Sequence, residues 1–405
     1  MKIEEREFLP VILGNDINTY SVARAFYEEY KIKSIVLGKY RSGPSNNSKI
    51  IDFFTDENMD NQDDFLRIID SFSDKFQNKK IILLACGDSY AELIIKNKNN
   101  FKDNVIAPYI DEPLMHDLIK KSSFYEMCEK HGLDYPKTII HDKSMGIEFV
   151  PPFEFPIIIK PSNSISYWEN PFDSQKKVYK LYDQKSLQKV LNEIYLAGYD
   201  DSLIIQEFVP GEDTNLRIMI TFSGKDKKVK LMALAQVMME ERTPHGIGNS
   251  AMQMNEYNKG LSIILKNFLE NIGYEGYATF DVKYDYRDDK FKVLEVNLRQ
   301  GRSNFFVTGA GYNLVRYVVE DYVYGRDTGF TIAKAENLWT VVPISIGYKY
   351  VKDKNHVARI KQLAGEGKYV NPLFLKGDNN IKRLMFLFKN SLSQHLKFKK
   401  YYNQM

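Results

Sequence analysis

Short apolar runs alternate with amphipathic stretches over the first quarter of the chain. Phe8–Leu13, Ser34–Leu37, Ile81–Cys86 and Val105–Ala107 read as buried strands, and Ser21–Tyr30, Asp63–Phe76 and Asp88–Lys96 carry the three-to-four-residue spacing of helices. That order predicts parallel strands joined by crossover helices, a doubly wound α/β lobe over residues 1–112. A linking helix follows at Ser122–His131, with Gly132 as its stop. Thr138–His141 and Phe155–Ile159 read as strands, and Pro161–Gln175 as a polar loop.

From about residue 177 the pattern shifts to longer runs that look antiparallel: Val178–Tyr182, Leu203–Val209, Leu216–Phe222, Val229–Met239, Tyr277–Tyr286 and Phe291–Val296. Lys185–Ala197 and Glu256–Ile272 are helical in period, Arg287–Lys290 makes a hairpin turn, and Met239–Met254 reads as a loop. Residues 113–325 thus form a second, α+β part. Residues 326–405 are an extension with a strand-like Trp339–Tyr348 and a basic tail. In that tail Ile381, Leu384, Met385, Phe388 and Leu392 fall at helical spacing, and no acidic residue follows Asp378. Such a stripe ordinarily packs on its own protein; its lysines also allow contact with an anionic membrane surface.

Composition narrows the function. The 405 residues are 43% hydrophobic and 13% aromatic, enough for sizeable cores. A net charge of +3 gives no reason to expect a nucleic-acid partner. Two cysteines, Cys86 and Cys128, exclude a disulfide framework and fit a reducing compartment. The acidic N-terminus does not read as a signal peptide, and no apolar stretch approaches the roughly 20 residues needed to cross a bilayer, so the cytoplasm is the expected location. The turn after the first strand reads GNDINTYS, without the spaced glycines of a dinucleotide fingerprint.

The late hairpin holds the strongest chemical signal. Glu295 and Asn297 are two residues apart and share a strand face, and Asp281 on the partner strand can reach that face. Two carboxylates and an amide oxygen are the hard ligands that Mg²⁺ takes, although such residues also decorate ordinary solvent-facing sheets. Lys160 ends the apolar strand of FPIIIKPS, and Lys121 stands just before the linking helix; each suits a phosphate, and each alone is ordinary. In IIQEFVPGED a strand runs through Gln206, Glu207, Phe208 and Val209 into a Pro-Gly turn. Such a hinge can offer backbone groups to an adenine edge, with Asp213 or Glu212 for ribose hydroxyls.

Taken in order, KSSFYEMCEKHGLDYPKT, IIIKPS, QEFVPGED, ATFD and LEVNLR resemble the ATP-grasp superfamily over roughly residues 8–325. KPSNSISYWENPFDSQKKVY, GEDTNLRIMITFS and EVNLRQGRSNFFVTGAGYN look most like its carboxylate–amine ligases, specifically the bacterial D-aspartate ligases that extend the lysine side chain of peptidoglycan precursors. The resemblance implies an ATP-grasp fold at 113–325 behind an N-terminal pre-ATP-grasp lobe. It implies ATP and two Mg²⁺ ions, or Mn²⁺, as cofactors, and an acid and an amine as substrates, the amine on a nucleotide-linked cell-wall precursor. By it Lys121 and Lys160 bind phosphates, Gln206–Val209 hold adenine, Asp213 holds ribose, and Asp281, Glu295 and Asn297 bind magnesium.

A tetrahedral intermediate wants fixed positive charge, for which Arg217, Arg299 and Arg302 are the candidates. His245 is a weaker candidate in a lid-like loop. The phosphate-covering loop of the superfamily is usually glycine-rich, whereas Pro161–Gln175 has no glycine and offers Ser162, Ser164 and Ser166 instead. A dipeptide-forming ligase and a catalytically silent nucleotide-binding module are the competing expectations. A homodimer is a further one.

Overall fold

The computed structural model describes residues 4–162, 164–243, 246 and 248–402, with all their side chains except those of residues 164 and 165. The three sequence segments describe chain order; packing gathers the chain into two compact units. One comprises Met1–Met115, Glu212–Asp281 and Val296–Met405, the other His116–Gly211 and Val282–Glu295.

The chain opens with β1 (Phe8–Leu13), α1 (Ile17–Tyr30), β2 (Ser34–Gly38), β3 (Ile51–Thr55), α2 (Gln62–Lys75), β4 (Lys80–Ala85), α3 (Asp88–Asn97) and β5 (Val105–Ile106). These strands form a parallel sheet of order β3-β2-β1-β4-β5. Its central strands are apolar throughout because helices cover both faces. β3 escapes the sequence pattern because it is an edge strand whose Asp52 and Phe54 face solvent. α1 starts four residues before the expected Ser21, where Asp16 accepts the Thr19 amide at 3.1 Å. Gly14 has φ +140°, and a Cβ there would fall 2.4 Å from Thr19 Oγ1. That turn therefore needs glycine for steric reasons.

Next come α4 (Glu112–Ile119), α5 (Lys121–Lys130), β6 (Thr138–His141), β7 (Ile157–Pro161), α6 (Ser164–Glu169), β8 (Tyr179–Leu181), α7 (Gln184–Leu196) and β9 (Leu203–Glu207). Gly132 ends α5 with φ +70°, its amide on Glu129 O and the next amide on Cys128 O. The four strands form an antiparallel sheet of order β6-β9-β7-β8, packed on α7 through Ile157, Ile159, Leu187, Leu191, Ile194 and Ile205. The segment read as a polar loop contains α6 instead. It is too short to show a period, and it is stapled by buried Tyr167, whose hydroxyl lies 2.9 Å from Lys176 O and 2.8 Å from Tyr179 Oη.

The rest runs through β10 (Leu216–Ser223), β11 (Val229–Glu240), β12 (Ser250–Glu256), α8 (Lys259–Asn271), β13 (Gly276–Asp285), β14 (Lys290–Asn297), α9 (Phe305–Gly309), α10 (Leu314–Val318), β15 (Thr331–Ile332), β16 (Leu338–Thr340), α11 (Ile344–Tyr350), α12 (Lys354–Gly365), β17 (Tyr369–Val370) and α13 (Ile381–Tyr401). The sheet order is β14-β13-β10-β11-β12-β16-β17, with β15 on β11. Two expectations need correction here. The segment Met239–Met254 holds most of a strand, β12, whose methionines carry little strand signal. The strand-like Trp339–Tyr348 is strand only to Thr340; Pro343 then starts α11.

The basic helix forms as α13, capped by Asn380, but its stripe points the other way. Ile381, Leu384, Met385, Phe388 and Leu392 are exposed, while Arg383, Leu387, Gln394 and Phe398 are buried.

Candidate active site

In the second unit the phosphate candidates gather. Lys121 is the first residue of α5, and its Nζ lies 2.8 Å from Glu295 Oε2 on β14. Lys160 leaves the end of β7 as a partly buried ammonium whose pKa is pulled down to about 8. Burial is the main cause and repulsion from Lys121 adds to it, while Glu295 opposes both. The cluster therefore holds two ammonium groups against one carboxylate.

Tyr125, one turn along α5 from Lys121, was not visible from sequence as a site residue. Its hydroxyl donates to Leu294 O at 3.0 Å and accepts from Gln206 Nε2 at 2.9 Å; Gln206 also donates to Thr138 Oγ1 at 2.7 Å. This buried network fixes α5, β9 and β14 together, with the Gln206 side chain as a positioning group.

The rest of the hinge is partly committed. The amides of Glu207 and Phe208 donate to Lys137 O and Pro156 O at 2.9 and 3.2 Å. Glu207 also accepts the Lys137 amide at 2.9 Å and pairs with Arg287 at 3.3 Å. The Phe208 ring lies under Lys180 Nζ, 3.5 Å from its centroid, with Lys283 Nζ at 5.2 Å. Val209 is buried. Only part of the hinge backbone thus remains to meet a base edge.

In the first unit Asn297 Nδ2 donates to Asp281 Oδ2 at 3.1 Å. On β14 the alternation leaves Glu295 and Asn297 half-buried on one face while Val296 is buried on the other. Among the described residues no three His, Cys, Asp or Glu side chains gather as a metal cluster. Two carboxylates and an amide suit a hard cation that keeps water and phosphate oxygens in its shell, not a fully protein-ligated ion.

The arginines divide. Arg217 is buried, paired with Glu256 and donating to Thr214 O at 2.7 Å and Leu216 O at 3.1 Å. Arg299 forks onto Asp88, with Nε 2.8 Å from Oδ1 and Nη2 2.9 Å from Oδ2. Arg302 pairs with Glu241 at 2.6 Å and opens into a cleft of about 290 Å³. Asp16, Asn390, Gln394 and Lys397 also line that cleft, the last three from α13. Asp213 is occupied by Arg242 and by the Glu240 amide at 2.9 Å, whereas Glu212 pairs with the exposed Lys352, at 2.8 Å. His245 lies outside the described residues. A larger apolar cleft of about 370 Å³ between β3 and α2 holds none of these groups.

Buried amides set the arginine-bearing loop in place. Asn18 Nδ2 donates to Gln300 O at 3.0 Å, Asn304 Nδ2 to Asn18 Oδ1 at 2.7 Å, and Gln300 Nε2 to Ala85 O at 2.8 Å. The residues after β14 are thereby pinned to the carboxyl ends of the parallel strands.

Comparison with known proteins decides the family. No family model matches the chain. The D-aspartate ligase of Enterococcus faecium (strain Aus0004) is 38% identical over 418 aligned positions, covering 99% of this chain and 98% of that one. The chain belongs to the D-aspartate ligase family. It is a ligase that forms carbon–nitrogen bonds on an ATP-grasp fold. N5-carboxyaminoimidazole synthetase from Staphylococcus aureus shares that fold at a TM-score of 0.60, with 12% identity over 89% of this chain and 88% of that one. So does the biotin carboxylase domain of the Hydrogenobacter thermophilus 2-oxoglutarate carboxylase, solved with MgADP, ADP and bicarbonate, at 0.60 and 12% identity over 80% and 71%. For a member of the D-aspartate ligase family, the separation of the arginines matters: Arg302, paired with Glu241 and donating to Ser250 O at 3.3 Å, lines a cleft, whereas Arg217 and Arg299 brace strands and helices.

Proposed function

We propose that this ligase joins the carboxylate of D-aspartate to the lysine side-chain amine of a nucleotide-linked peptidoglycan precursor in the cytoplasm, at the expense of ATP. A carboxylate is a poor electrophile, and phosphorylation converts one oxygen into a leaving group. The carboxylate oxygen attacks the γ-phosphorus and ADP departs; the amine nitrogen then attacks the carbonyl carbon of the acyl phosphate, phosphate leaves, and the nitrogen loses a proton. Both steps depend on positioning and charge neutralisation.

The observation that carries this reading is the Lys121–Glu295 ion pair with Lys160 in its field. Two ammonium groups against one carboxylate leave an excess of positive charge suited to a triphosphate. With ATP bound, Lys121 would exchange Glu295 for phosphate oxygens, and Asp281, Glu295 and Asn297 would hold the metal. Two Mg²⁺ ions, or Mn²⁺, supply further neutralisation of the triphosphate when bound. The Val209 amide and neighbouring carbonyls hold adenine, and Glu212 or Asp213 takes the ribose hydroxyls. Arg302 holds the substrate's carboxylate or the oxyanion; Arg299 keeps the strand end beyond Asn297 in place.

The test is ADP release and a new amide detected by mass spectrometry with ATP, Mg²⁺, aspartate of either hand and lysine-containing precursors. D-aspartate with the precursor is expected to give both. Product from pairs of free L-amino acids alone would replace this reading with a dipeptide ligase, and no ADP with any acid and amine would leave a silent nucleotide-binding module.

A further inference from the structure

α13 buries one side, through Arg383, Leu387, Gln394 and Phe398, and leaves a second, apolar side outside the fold. On the inner side Arg383 is tightly held: its guanidinium pairs with Asp378 at 3.0 Å, lies 3.9 Å from the Tyr20 ring centroid, and donates to Pro44 O and, at 2.8 Å, to Leu373 O. Near the far end Phe398 packs on Tyr350, whose carbonyl accepts the Tyr402 hydroxyl at 2.6 Å. Both ends of the helix are therefore anchored on one side.

The outer side is different. At about 100° per residue, Ile381, Leu384, Met385, Phe388, Leu392 and Leu396 fall within a sector of about 120°. Their exposures run from 43% at Leu384 through 65% at Phe388 to 74% at Ile381. Exposed apolar side chains scattered singly need no explanation, but a continuous stripe along a helix about 30 Å long does.

Charge names the occupant. Lys382, Lys389 and Lys400 lie along one flank of the stripe and Lys399 ends it, all exposed. No acidic residue lies in α13, and Asp378 before it is buried against Arg383. A second copy docked face to face would bring the same lysines together without counter-charge. An anionic lipid surface offers both what the lysines need and an apolar layer for the stripe. The helix is not apolar enough to cross a bilayer, which leaves the in-plane position.

We propose that α13 seats the protein on anionic membrane surfaces, with Phe388, Leu392 and their neighbours in the acyl boundary and Lys382, Lys389 and Lys400 among the headgroups. This inference is independent of the substrate assignment, because its readout is partitioning. The experiment is co-sedimentation of the full chain with phosphatidylcholine vesicles, with and without phosphatidylglycerol, at low and high salt. Binding only to the anionic vesicles, weakened by salt, is expected. The double variant Phe388→Ser, Leu392→Ser should bind about tenfold or more weakly, and Lys389→Glu, Lys400→Glu severalfold or more weakly. Both should keep the wild-type melting temperature, since all four side chains are exposed. Equal binding to neutral and anionic vesicles, or variants that bind like wild type, would overturn the proposal. So would a dimer in sedimentation that Phe388→Ser abolishes, without vesicle binding, which would give the stripe to a second copy.

Discussion

The charged groups of the Lys121–Lys160–Glu295 cluster and those of the arginine clamps are built on opposite plans. Around Arg217 and Arg299 each charge meets its opposite, Glu256 and Asp88, and these pairs hold strands and helices. In the cluster, cations outnumber the carboxylate, and Lys160 is held in an environment that works against its own proton. Unbalanced charge at the end of a rigid strand suits a bound anion, whereas a balanced pair away from any cleft acts as a brace; Arg302, balanced by Glu241, differs from the braces in lining a cleft.

The largest effect that would break this contrast belongs to Glu295. Glu295→Gln keeps the size of the side chain and removes the charge; ADP formation is expected to fall by about 10³ or more with the fold intact, as checked by steady-state ADP release and circular dichroism. Arg302 and Arg217 separate next. Arg302→Ala should lower turnover about 10²-fold or more, with a stability loss of about 1 kcal/mol from the unpaired Glu241. Arg217→Ala strands Glu256 beside a buried gap and should cost about 3 kcal/mol of stability, read by denaturant unfolding.

The pH dependence sharpens the same point on a smaller scale. Lys160 carries its proton below about pH 8 and loses it above, so the KM for ATP should rise severalfold as pH climbs from 8 to 9. Bound phosphate favours the ammonium, so turnover at saturating ATP should hold to higher pH. Lys160→Arg, which keeps its charge, should flatten the KM profile. The smallest expected effect is at Lys352, whose pairing with Glu212 is exposed on both sides: Lys352→Ala should change stability by about 0–1 kcal/mol and ATP binding not measurably.

Much of this was legible in sequence where a residue's environment is set by its neighbours along the chain. β1 and, after Lys80, β4 are apolar because both faces of a parallel sheet are covered, and Lys160 is marked by the isoleucines before it. Edge strand β3, methionine-rich β12 and the short α6 lack that local imprint. The clamps were hidden for another reason: Asp88 and Arg299 are 211 residues apart, so nothing near either shows that the arginine is already engaged. α13 teaches a third lesson. Periodicity says which side chains share a face, but the face that is buried carries Arg383, Leu387, Gln394 and Phe398, not the larger apolar stripe.

The central claim is that the lysine pair beside Glu295 receives the triphosphate. Calorimetric titration of wild type and Lys160→Met with Mg²⁺ and a non-hydrolysable ATP analogue at pH 7 tests it most directly. The account predicts at least about tenfold weaker binding in the variant at an unchanged or higher melting temperature, since a buried charge has been removed. Wild-type affinity in Lys160→Met would contradict it.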